Sequence, residues 1–113
     1  MPGGSGPVEL ALLPRQPDHA FRAFVRFPPG WSRREAGHYA QAEEFVVLEG
    51  ELSLNGLTWR AGDYALIPAG CLRRDMHTGS GCLVFARFGA APRWIAGAAA
   101  GGELLAVRRP GRS

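Results

Sequence analysis

The sequence predicts an all-β protein, a sandwich or barrel of short antiparallel strands. The apolar runs are short and bounded by turn residues: VELALL, FRAFVRF, FVVLEGELSL, LTWR, YALIP and CLVFARF. Strands of this length and spacing pack face to face or close on themselves. In FRAFVRF, Phe21, Ala23, Val25 and Phe27 fall on one face, and Arg22, Phe24 and Arg26 on the other, the period of a half-buried strand. Asn55-Gly56 between ELSL and LTWR suits the two positive φ angles of a type I′ hairpin.

Taken in order, residues 1–7 are rich in Gly, Pro and Ser and read as a mobile N-terminus. The six runs then follow within residues 8–94, the expected folded domain. Residues 95–113 form a C-terminal region. Its tract IAGAAAGGE has too much glycine for a helix and too little β-branching for a strand, so it reads as a loop. ELLAV after it fits either a terminal strand or a short helix. No internal repeat is visible.

At 113 residues the chain suits one domain with a single core. It is 46% hydrophobic and 20% charged, the balance of a globular chain. All 13 basic residues are arginine and the net charge is +3, yet the arginines are scattered apart from Arg33-Arg34, Arg73-Arg74 and Arg108-Arg109. No basic helix or aromatic-interleaved basic strand is present, which argues against nucleic-acid binding. No apolar run approaches the ~20 residues that span a bilayer, and MPGGSGPVEL lacks the regions of a secretory signal, so a cytoplasmic protein is expected. A hairpin turning at Thr78 to Gly81 would set Cys71 and Cys82 on the order of 16 Å apart, which predicts two reduced thiols.

Two glycine-anchored segments carry more information. Gly30, five residues, Ala36, one residue, His38, four residues, Glu43, six residues and Gly50 form the first. Gly62, five residues, Pro68, Ala69, Gly70, two residues, Arg73, three residues and His77 form the second. These spacings resemble the two motifs of the cupin family, G(x)5HxH(x)3-4E(x)6G and G(x)5PxG(x)2H(x)3N. The surrounding segments are most similar to small single-domain bacterial cupins of the anti-sigma-factor and acetylacetone-dioxygenase types. The resemblance covers about residues 20 to 90. It implies a cupin (double-stranded β-helix, or jelly-roll) barrel of two antiparallel sheets over residues 8–94, with a pocket at one open end.

In metal-binding cupins, two histidines and the glutamate of the first motif and the histidine of the second hold the ion. Here those positions read Ala36, His38, Glu43 and Arg73; read with one deletion, His38 becomes the first histidine position and Ala40 the second. Either way one histidine remains, fewer protein ligands than transition-metal sites generally use. No metal cofactor is therefore expected. The arginine adds positive charge where a cation would sit. Arg73 can turn inward and pair with Glu43 in place of the metal, or outward to water.

The candidate ligand-binding residues are thus His38, Glu43, Arg73 and His77, and the leading expectation is a binding module for a small ligand such as a carboxylate anion. The alternative is a metal-dependent dioxygenase using His38, Glu43 and His77 to hold Fe, Mn, Zn or Ni. Strand alternation puts His77 on the face of Arg73, on the order of 7 Å along the strand. A third reading is a metal-free isomerase or lyase with His38 or His77 as general base. His19 reads as an exposed loop histidine, and Trp31, Trp59 and Trp94 as core or interface aromatics. Apolar side chains on both faces of FRAFVRF make a homodimer an expectation.

Overall fold

The computed structural model describes residues 8–15, 17–97 and the backbone of 105–107. The expectation of a mobile segment over residues 1–7, and that of a loop over residues 98–103, lie outside the described residues. The strands are β1 (Glu9–Leu12), β2 (Phe21–Phe27), β3 (Ser32–Arg33), β4 (Gly37–Tyr39), β5 (Glu43–Leu54) and β6 (Leu57–Arg60). They continue with β7 (Tyr64–Ile67), β8 (Met76–His77), β9 (Cys82–Phe88), β10 (Trp94–Ala96) and β11 (Leu105–Val107). Among the described residues no helix is long and apolar enough to cross a membrane.

The main path runs β1-β2-β9-β5-β7-β11, with every pairing antiparallel. The long strand β5 belongs to both halves of the barrel. Its first part, from Glu43, pairs with β7 and β9, whereas Glu51–Leu54 pairs with β6 and Ser53 with β8. The change of partner coincides with an irregularity between Val47 and Glu49, where the register with β9 shifts and Leu48 is left exposed. A bulge of this kind bends and twists a strand, which lets one strand turn the corner between two sheets.

Alternation decides what faces inward. β9 buries Cys82, Val84, Ala86 and Phe88, and β2 buries Ala23, Val25 and Phe27 opposite them. Phe24 of the outer face is exposed and stacks on Phe85. The Asn55-Gly56 turn has φ of 52° and 79°, as the hairpin reading requires. The glycines of both motifs, Gly30, Gly50, Gly62 and Gly70, all have positive φ, which explains their fixed spacing in backbone terms.

Two expectations are corrected, and one open alternative is decided. The loop assigned from Ile95 begins as strand β10, paired with β4 through Ile95↔His38 and Ala96↔Gly37. Residues 105–107 are a strand on β7, not a helix. The segments either side of Thr78 to Gly81 do not form a hairpin: β8 pairs with β3 and β5, and β9 with β2 and β5. The turn carries the chain from one half of the barrel to the other, and Glu51 accepts hydrogen bonds from Ser80 N and Oγ there. Both cysteines are free and buried.

Candidate ligand-binding pocket

The pocket is built where the second glycine-anchored motif crosses β4. Gly70 turns the chain with φ of 79° and donates its N–H to the Tyr39 carbonyl at 3.0 Å. Three residues on, Arg73 and Gly37 exchange both backbone hydrogen bonds, Arg73 N to Gly37 O at 2.7 Å and Gly37 N to Arg73 O at 3.2 Å. This bridge directs the Arg73 side chain inward. Its guanidinium lies 4.6 Å from the centre of the Tyr39 ring, and its Nη1 donates to Oε1 of Glu43, the first residue of β5. Both ends of this ion pair are buried, Arg73 with 3% and Glu43 with 10% of its side chain exposed. Of the two orientations open to Arg73, the inward one is observed.

The cavity beside the pair has a volume of about 240 Å³. Its walls are apolar, part aliphatic and part aromatic, with Phe21, Phe27, Phe45 and Phe88 among them, and Glu43, Arg73 and Tyr39 supply its polar corner. Leu10, Pro92 and Trp94, which are exposed or half-buried, also line it.

The two histidines of the candidate set do not join this corner. On β4 the inward positions are Gly37 and Tyr39, so His38 points to the other side, where its Nδ1 is 3.1 Å from the Gly97 carbonyl oxygen and donates to it. The inward residue nearest Glu43 thus lies four positions before it, at Tyr39, one later than the gap-free count. A one-residue offset reverses every side chain of a strand. His77 is corrected as well. Asp75 adopts a φ of 53°, which breaks the alternation between Arg73 and His77. Met76 is consequently buried, while His77 is exposed with its Nδ1 hydrogen-bonded to the Asp75 carbonyl at 3.0 Å.

A metal is the cofactor that the dioxygenase alternative requires, and the residues do not fit one. His38, Glu43 and His77 do not converge, and among the described residues no group of three or more His, Cys, Asp or Glu side chains could hold an ion. Among the described residues, the one carboxylate in the pocket is engaged by a guanidinium. Neither histidine lines the cavity as a general base.

Sequence reasoning missed Arg33. It lies on the inward face of β3 and is 3% exposed. Its guanidinium stacks 4.0 Å from the Trp94 ring centre and 5.8 Å from that of Trp31. Burial pushes its pKa below the usual arginine value, offset in part by a hydrogen bond to Tyr39. Burial raises the Tyr39 phenol, with Arg33 and Arg73 opposing, so Tyr39 is neutral at pH 7. The available signal was spacing: in WSR, Trp31 and Arg33 share a face. His19 is exposed, Trp31 and Trp59 are core residues, and Trp94 is half-buried at the pocket.

No family model matches the sequence, and comparison with curated proteins also gives no match. Solved structures do match. An acetylacetone dioxygenase from Acinetobacter johnsonii is 17% identical with a TM-score of 0.70, covering 91% of this chain and 73% of that one. A provisionally named dioxygenase from Nostoc punctiforme PCC 73102 is 19% identical with a TM-score of 0.71, covering 87% of this chain but only 35% of its own. A cupin-like protein from Thermotoga maritima MSB8 is 18% identical with a TM-score of 0.60, covering 82% of this chain and 79% of that one. At these identities the likeness shows the fold, and the fold is the all-β cupin barrel.

Proposed function

We propose that this cupin-fold barrel is a small-molecule binding module in which Arg73 recognises an anion at a position where metal-binding cupins hold their ion. One observation carries the reading. Arg73 is buried at the cavity, Glu43 engages only its Nη1, and its Nε and Nη2 have no hydrogen-bond partner among the described residues. Each such buried donor costs about 1–3 kcal/mol when left unsatisfied. Nε–H and Nη2–H form one edge of the planar guanidinium, the side-on fork that matches the two oxygens of a carboxylate. Glu43 orients that fork through the opposite nitrogen. The fold supports a ligand site in this place, because a barrel mouth with apolar walls and a few convergent polar groups is a common one.

Thermal melts against acetate, formate and nitrate at constant ionic strength test the reading, using wild type, Arg73→Gln and the compensated double variant Arg73→Gln with Glu43→Gln. Saturable stabilisation of wild type by at least one of these anions, absent from both variants, is the expected result. No saturable effect in wild type, or the same effect in all three proteins, overturns it.

A further inference from the structure

We infer that Tyr39 is the positioning residue of the pocket: its ring, set against the Arg73 guanidinium, aims the free edge of that group into the cavity and gives the site a preference for two-oxygen anions. The inference rests on the reading of Arg73 as the anion-recognising group.

Glu43 alone does not aim Arg73. It holds one nitrogen, Nη1, through one oxygen, and a single contact of this kind leaves a planar group free to turn about it. Arginine also has a long side chain rich in rotamers, so a fixed edge needs further restraint. The Tyr39 ring provides it. Its centre lies 4.6 Å from the guanidinium carbon, within cation–π reach, and among the described residues it is the ring that meets Arg73. With Nη1 held by the carboxylate and the ring set against the group, Nε and Nη2 are the nitrogens left without a hydrogen-bond partner.

The ring is itself fixed. Phe88 meets it edge-on at 5.0 Å and Trp94 at 5.1 Å between centroids, and Tyr39 is buried. Its main chain is tied as well: its carbonyl accepts from Gly70 N at 3.0 Å, and β10 pairs with it through Trp94. Gly37, two residues earlier and on the same face of β4, forms the two-bond bridge with Arg73. The segments that carry ring and guanidinium are therefore registered against each other at both ends, by Tyr39 with Gly70 and by Gly37 with Arg73. A residue that only packs here needs volume. A residue that aims Arg73 needs an aromatic face.

The two roles separate by anion shape. A guanidinium attracts any anion by charge, but it tells a carboxylate from a spherical ion only when its two N–H groups are fixed in direction. Loss of aim is therefore read as loss of preference, not of attraction.

Acetate and chloride are titrated against the full chain by thermal melts at constant ionic strength, using wild type, Tyr39→Phe, Tyr39→Leu, Tyr39→Met and Arg73→Gln. Wild type is expected to prefer acetate. Tyr39→Phe is expected to keep that preference within about twofold, and Tyr39→Leu and Tyr39→Met to lose about tenfold of it. Arg73→Gln is expected to lose saturable binding of both ions. If wild type shows no saturable acetate binding, or Arg73→Gln binds as wild type does, the reading of Arg73 itself fails. If Arg73→Gln loses binding while Tyr39→Leu and Tyr39→Met keep the wild-type preference, Tyr39 only fills space and the positioning inference alone fails. Equal binding of acetate and chloride by wild type overturns it too, and so does a loss of preference in Tyr39→Phe, which assigns the effect to the hydroxyl. Should neither ringless variant fold, wild type decides by nuclear magnetic resonance. The Arg73 Nε–H signal, assigned by its absence from Arg73→Gln, is expected to be displaced from the ordinary arginine position by the Tyr39 ring current; an ordinary position overturns the inference.

Discussion

The Trp94 indole occupies the space that a side chain at Gly37 would need: a Cβ there would overlap the ring and come within 2.6 Å of the Ile95 carbonyl oxygen. The same indole stacks on Arg33 and meets the Tyr39 ring edge-on at 5.1 Å between centroids. Gly37 is therefore what allows β10 to lie on β4 and carry Trp94 to the pocket wall.

Gly37→Ala is accordingly expected to destabilise the protein by about 1–3 kcal/mol through overpacking against ring and backbone. Denaturant unfolding followed by tryptophan emission checks this. A wild-type midpoint and an unchanged native emission spectrum would contradict it.

The Arg73–Glu43 pair yields a second expectation. Arg73→Met alone leaves Glu43 buried opposite an apolar side chain and should cost about 3–5 kcal/mol, whereas Arg73→Met with Glu43→Leu should return to near wild-type stability. Unfolding of wild type, both single variants and the double variant gives the coupling. Additive losses would mean that the two groups do not depend on each other.

Alkaline stability offers a third test. Burial pushes the Cys82 thiol up to about 12, with the Glu51 charge adding to the rise. A thiol whose folded pKa is raised binds its proton more tightly when folded, so its contribution is complete below the unfolded value near 9 and is lost as pH rises from there towards 12. Wild type should lose stability over pH 9–11, and Cys82→Ala should lose less. Tyr39 and Cys71 are raised in the same direction, so some slope remains in the variant. Parallel curves for the two proteins would contradict the assignment.

The fold was legible wherever one physical cause dominated. The alternation of β2 follows from one buried face, and Asn55-Gly56 and the motif glycines mark positions of positive φ. Less legible was anything that hung on phase. Asp75 at φ 53° resets the alternation that would have brought His77 inward, and nothing local distinguishes it from a strand residue. On β4 the difference between His38 and Tyr39 facing the pocket is one residue, which only the pairing with β10 and the Gly37–Arg73 bridge fixes. Arg33 was hidden for a related reason: in sequence it is half of a basic pair, and its burial comes from Trp31 and Trp94, the latter far along the chain.

Arg73, paired with Glu43, is proposed to stand where metal-binding cupins hold an ion. Elemental analysis of untagged protein purified without chelator, beside Glu43→Gln, tests it most directly. Iron, manganese, zinc and nickel are expected well below one equivalent per chain, at levels that Glu43→Gln does not change. One equivalent of any of them in wild type, lost in Glu43→Gln, would contradict it.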